Sequence, residues 1–292
     1  MNPDLMPEYI EIETSTYCNR RCSWCPNSVY DRGTSQRLMD QQLFKKILAD
    51  LGNLQYTGEI ALHNYNEPLL DPNINSNIRL VGEYVPSAKK LVLTNGDFLT
   101  RKRLEELVDL DVSLVRVSLY KPMNSKSIEQ AERLQSSLGL EKGTISRSAY
   151  GISISSNLSG TTVRHYIPNR DRFTSRGGIL GDKGTDLDSF CFLPFSSCAI
   201  DVDAYMKICC EIYPQNAEHF QSGIVGSLAT ESFEDLWLGD MMNKIRKALL
   251  HYERINPICA TCEETPKSAS KINHKKLSAW REHIENDRPI SD

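Results

Sequence analysis

No stretch of the 292-residue chain approaches the roughly 18 consecutive apolar residues of a membrane-spanning helix. The opening run Met1-Asn-Pro-Asp-Leu-Met-Pro-Glu8 lacks the basic start and apolar core of a secretory signal. Neither sign of charge dominates. Lys and Arg number 34 against 38 Asp and Glu, a net charge of −4 with the cations dispersed. That argues against a general nucleic-acid binder, though not against one small anionic substrate. Internal repeats and low-complexity tracts are missing as well. With 40% apolar and 25% charged residues, the sequence reads as a cytoplasmic globular chain, long enough for one large domain or one plus a small extension. Cysteine is the exception to this ordinary composition. There are nine. Without a signal peptide, and with an odd count, metal binding is a better reading than a disulfide framework.

Three of them, Cys18, Cys22 and Cys25, stand in Glu13-Thr-Ser-Thr-Tyr-Cys-Asn-Arg-Arg-Cys-Ser-Trp-Cys-Pro-Asn-Ser28, just after a strand-like run at Tyr9–Glu13. Three thiolates can hold three irons of a [4Fe–4S] cubane and leave the fourth iron open to a chelating ligand. Structural zinc wants four closing ligands, and the nearest further candidate, His63, is far along the chain. Downstream, helix and strand signals alternate. Helices are expected at Asp40–Leu51, Asn73–Tyr84, Thr100–Leu110 and Ser125–Leu138, and strands at Glu59–Tyr65, Lys90–Leu93 and Leu114–Ser118. This βαβ alternation predicts a parallel sheet with its active site at the carboxyl ends of the strands, where the triplet falls. From Glu141 to about Thr185 the pattern weakens. Beyond it, Ala199–Cys210 reads as a hairpin turning near Asp203. Ser232–Leu238, Met241–Leu250 and Lys267–Glu285 read as helices.

The second cysteine group is Cys191, Cys198, Cys209, Cys210 and the pair Cys259-Ala-Thr-Cys262. Four of these thiolates could close a second cluster. We choose Cys191, Cys209, Cys259 and Cys262. Cys210 would point away from Cys209 if that run is a strand, and could face a substrate cavity. Cys198 reads as a buried thiol. The choice between Cys209 and Cys210 stays open at this level.

The triplet spacing resembles that of the radical S-adenosylmethionine enzymes. The resemblance extends to Glu67-Pro-Leu-Leu70, Thr94-Asn-Gly-Asp-Phe-Leu-Thr100 and Arg176-Gly-Gly-Ile-Leu180. The region from Gly226 to Trp237, with Arg246, resembles SPASM and twitch domains. Among these enzymes the closest likeness is to the twitch-domain dehydrogenases that act on aminocyclitols in aminoglycoside biosynthesis. It implies a partial (β/α) barrel over residues 1–185, a twitch domain over 186–265, and a C-terminal helix and tail over 266–292.

The cofactors implied are a [4Fe–4S] cluster on Cys18, Cys22 and Cys25 binding S-adenosyl-L-methionine, and one auxiliary [4Fe–4S] cluster. Asn66 and Glu67 would meet the methionine ammonium, and Asn66 replaces the family's usual glycine. Thr94, Asn95 and Ser118 would contact ribose or carboxylate, and Trp24 would lie near adenine. Arg176 and Tyr65 are the implied substrate contacts. The implied reaction is hydrogen abstraction from a carbinol carbon of a polyol or aminocyclitol to give a ketone, with the auxiliary cluster taking an electron. The rival is epimerisation with Cys210 as hydrogen-atom donor. The implied partner is an electron donor such as flavodoxin or ferredoxin.

Overall fold

The computed structural model describes residues 2–32, 36–181, 190–262 and 274–286. Both expected domain boundaries fall outside these residues, as do residues 267–273 of the expected last helix.

The first half is the predicted alternation. It runs β1 (Tyr9–Ile12), α1 (Gln41–Asn53), β2 (Glu59–Ala61), α2 (Ile74–Tyr84), β3 (Lys89–Thr94), α3 (Arg101–Asp109), β4 (Val112–Ser118) and α4 (Ser125–Ser137). Side-chain caps set the helix starts, as their sequences require. Asp40 accepts from the Gln42 and Leu43 amides, Thr100 from Arg103, and Asn124 from Ser127. α1 buries Phe44, Ile47, Leu48 and Leu51, a 3.6-residue stripe laid on the sheet. Ile10, Ile12, Val92, Val115 and Val163 share that core on the sheet's helix-covered face. Strand alternation sends Tyr9, Glu11, Arg116 and Arg164 to the other face, the barrel lumen.

The weakly patterned stretch forms three strands, β5 (Thr144–Ser148), β6 (Gly151–Leu158) and β7 (Thr161–Pro168). They are hard to see in sequence because β5 is largely exposed and carries little apolar alternation. β5, β6 and β7 pair antiparallel, and β7 joins β4 in parallel. The sheet is therefore mixed at this edge rather than wholly parallel.

The second half contains α5 (Leu193–Ser196), β8 (Ser197–Ile200), β9 (Tyr205–Lys207), α6 (Ala217–Gly223), β10 (Ile224–Ser227), α7 (Phe233–Trp237), α8 (Asp240–Leu250), α9 (Pro257–Ala260) and α10 (His274–Asn286). β8 pairs in parallel with β1, so a single ten-stranded sheet runs β10-β9-β8-β1-β2-β3-β4-β7-β6-β5. The expected hairpin turns at Asp201–Ala204, but β9 ends at Lys207. Cys209 and Cys210 thus lie in a turn beyond the strand, and strand alternation is not what separates them. Arg246 is fully buried. Its guanidinium lies 4.3 Å from the Trp237 ring and 3.9 Å from that of Trp280, and donates to the Pro194 and Trp237 carbonyls. One side chain thereby ties α5, α7, α8 and α10 together.

Candidate active site

The cysteine triplet sits in the loop leaving β1, and buried polar contacts fix that loop from below. Arg32 donates two bonds to Glu13, at 2.7 and 2.9 Å, and the Tyr65 amide donates to the same carboxylate at 3.0 Å. Burial opposes ionisation of Glu13. The Arg32 guanidinium outweighs it and holds the carboxyl below its usual range. Above, Arg20 and Asn19 donate to Asp97, and Asn95 donates to Asn19, so the loop is clasped to the end of β3. Gly96 makes that turn possible: its φ is +84°, and a Cβ there would meet Val117 at 2.7 Å.

Cys18, Cys22 and Cys25 line one cavity of about 240 Å³, together with Trp24, Tyr65, Asn66, Glu67, Thr94, Asn95, Ser118, Arg176 and Cys210. Every residue expected at the S-adenosylmethionine or substrate site thus lines one cavity, brought there by strand ends and separate loops. Several side chains are already engaged. Glu67 accepts from the Thr94 hydroxyl at 2.5 Å, the Asn95 amide at 2.7 Å and the Leu69 amide at 3.2 Å. Burial still pushes its carboxyl above the ordinary range. Thr94 lines the cavity but spends its hydroxyl proton on Glu67. Asn66 bonds Ser15 and the Asn64 amide. The Tyr65 hydroxyl donates to the Cys210 carbonyl at 2.8 Å.

Arg176 has a φ of +54° and bonds Glu211 at 2.8 Å. Burial works against its charge, but Glu211 overcomes this and keeps the guanidinium protonated. The next residue, Gly177, has its carbonyl on His219, and a Cβ would meet Ile258 and His219. The Arg176 loop is therefore packed against the second cysteine region.

That region is arranged differently. Cys191, Cys209 and Cys259 are partly buried against the main core, and Cys262 is buried. Burial raises the Cys209 thiol, and the charges of Cys210, Cys262 and Cys259 raise it further. Arg254 donates to the Cys259 and Cys262 carbonyls and shapes the short loop between them. Cys198 is buried in β8 with its thiol pushed up to about 12, as suits a packing residue. Among the described residues no three His, Cys, Asp or Glu side chains close around a single-ion point. The triplet is spread around a cavity instead, a donor set suited to a cubane rather than to one zinc ion.

Four features were not evident from the sequence. Trp24 packs at a tilt against Tyr120 and Phe173, with ring centroids 4.9 and 5.5 Å away, under the Arg170 guanidinium at 4.6 Å. The Glu13–Arg32 pair, the Arg20–Asp97 clasp and the lumen arginine Arg116 are the others. Only Arg116 left a trace, as a lone charge within the apolar run Leu114-Val-Arg-Val117.

Residues 12–127 match the radical SAM superfamily, and residues 191–263 match the SPASM iron–sulfur cluster-binding domain. The chain is a radical S-adenosylmethionine enzyme with a second iron–sulfur domain, and its cofactors are S-adenosylmethionine and two [4Fe–4S] clusters. Among curated proteins it is 28% identical to the S-adenosyl-L-methionine-dependent 2-deoxy-scyllo-inosamine dehydrogenase of Niallia circulans, over 89% of this chain and 94% of that one. A shorter match, 30% identical over 38% of this chain and 30% of the relative, is to a tungsten-containing aldehyde ferredoxin oxidoreductase cofactor-modifying protein of Pyrococcus furiosus. Among solved structures, BtrN in complex with AdoMet and 2-DOIA superposes with a TM-score of 0.67 at 26% identity, covering 91% of this chain and 94% of that one.

Proposed function

We propose that this enzyme oxidises a carbinol carbon of an aminocyclitol or sugar-like substrate to a ketone. The observation that carries the reading is the single cavity holding the triplet together with Arg176, Tyr65 and Cys210, coupled through Gly177 to the second cysteine region. The similarity to a 2-deoxy-scyllo-inosamine dehydrogenase over nearly the full length of both chains supports the substrate class.

Cys18, Cys22 and Cys25 hold the first cluster in this reading, and Cys191, Cys209, Cys259 and Cys262 hold the second. When bound, the cofactors would supply a hydrogen-abstracting radical and an electron acceptor. The chain's own residues do the positioning. Glu67 is preset by Thr94 and Asn95 to face the methionine ammonium. The Trp24 ring, which lines the cavity, offers an aromatic wall for adenine. Arg176, oriented by Glu211, presents its remaining N–H groups to a substrate oxygen. A flavodoxin or ferredoxin of the reducing cytoplasm supplies the initiating electron.

One observation favours a second reading. Cys210 lines the same cavity as the triplet, where a thiol could return a hydrogen atom to the substrate radical and epimerise the carbon. Reconstituted enzyme, reductant and a panel of aminocyclitols deuterated at the carbinol carbon separate the two. Oxidation gives a ketone and deuterated 5′-deoxyadenosine in equal amounts, and the ketone persists in Cys210→Ala. Solvent deuterium in an epimerised product, with no ketone, would overturn the dehydrogenase reading.

A further inference from the structure

The barrel lumen continues below the triplet cavity. A second cavity, about 720 Å³, shares Glu11, Arg116 and Cys210 with the first and extends to the amino ends of the strands. Glu11 and Glu59 project into it from β1 and β2, and Arg116 and Arg164 from β4 and β7; Glu8, Lys89 and Glu211 line it as well.

The arginine pair has a specific construction. Arg116 and Arg164 are direct partners across the β4–β7 ladder, so two arginine side chains leave adjacent strands on the same face of the sheet. Like charges placed opposite one another on adjacent strands destabilise a sheet. No carboxylate of the described residues bridges them. Among the described residues the Nε of Arg116 is buried without a hydrogen-bond partner, its guanidinium lies 5.7 Å from the Tyr166 ring, and Arg164 donates to the Ser155 hydroxyl at 3.3 Å. Arg176 makes the contrast clear, because it faces the same lumen but carries its own counter-ion in Glu211.

Two adjacent planar cations with donors to spare are suited to an oxyanion, which accepts paired N–H bonds and relieves the repulsion. We propose that Arg116 and Arg164 bind a carboxylate or phosphate of the substrate. The substrate is then an acidic amino sugar or aminocyclitol, its anionic group toward β4 and β7 and its ammonium toward Glu11. This rests on the reading of the lumen as the substrate site, and it narrows the class from neutral or cationic polyols to anionic ones.

Calorimetric titration of the reconstituted holoenzyme with S-adenosylmethionine tests it, using glucosamine, glucosamine 6-phosphate and glucosaminate as probes. Paired charge-assisted bonds predict that the phosphate or the carboxylate probe binds at least about tenfold more tightly than glucosamine. Which of the two gains identifies the oxyanion. Arg116→Gln should abolish the preference. Arg116→Lys keeps the charge but not the fork, and should retain part of it; this variant also controls for folding. Anionic probes that bind no more tightly than glucosamine, or fail to bind, overturn the proposal, as does an undiminished preference in Arg116→Gln. Ketone formation is scored separately. Anion-selective binding without any ketone would refute the oxidation and leave the arginine site standing.

Discussion

The two cysteine regions use the same ligand chemistry in opposite settings. Cys18, Cys22 and Cys25 occupy a loop whose thiols ring an open cavity, and that loop is held by hydrogen bonds and ion pairs. Cys209, Cys259 and Cys262 sit against the hydrophobic core, beside the buried cluster of α8 and α9. The first setting leaves room for a ligand to reach a metal. The second packs its thiols against apolar side chains, which suits a cluster that stores or passes an electron rather than binding substrate. Openness is thus purchased with polar scaffolding, and closure with apolar packing.

The sharpest way to break this comparison is to empty the open region. With Cys18, Cys22 and Cys25 all changed to Ala, S-adenosylmethionine cleavage should disappear while about four irons remain bound. Near-zero iron in a folded protein, measured anaerobically, would show that the second region holds no cluster. Next in size is the scaffold beneath the loop. Glu13→Gln leaves the Arg32 guanidinium buried without its counter-ion and should cost about 3–5 kcal/mol of stability in chemical denaturation.

The wild-type pair has a matching pH signature. Because the folded Glu13 carboxyl lies below its unfolded value, its contribution is complete above the unfolded range, near pH 4 to 5. It is lost as pH falls through the lower folded value. Glu13→Gln should therefore flatten the acid limb of the stability profile, and an unchanged limb would contradict the assignment. Cys198→Ala tests the opposite setting. As a packing thiol in β8 it should cost on the order of 1 kcal/mol with no loss of iron; lost iron would instead make it a ligand. The smallest effect belongs to the exposed clasp. Asp97→Asn should cost no more than about 1 kcal/mol, since the Arg20–Asp97 pair is roughly a third exposed and screened by solvent.

Much of this architecture was legible residue by residue. The helices were expected to start at Asp40, Thr100 and Ser125, and the structure starts them at Gln41, Arg101 and Ser125, capped by Asp40, Thr100 and Asn124, because capping is a contact between near neighbours. Polar edge strands were not legible in this way. β5 is mostly exposed and gains its place only by pairing with β6, so its sequence carries no alternation to read. Placing Cys210 in the cavity was possible from the sequence, but the reason offered was strand alternation, and the chain instead turns beyond β9.

By itself the sequence determined what depends on short separations: the three-thiol spacing, the Cys-x-x-Cys loop, the βαβ rhythm and the strand ends that carry Glu67, Thr94 and Ser118. Only the tertiary structure decided what depends on strands meeting from afar. The joining of β8 to β1, the Glu13–Arg32 pair and the arginines matched across β4 and β7 are of this kind. The physical reason is that ladder register and burial are set by the global packing of the sheet, whereas caps and ligand spacing are set by a few adjacent bonds.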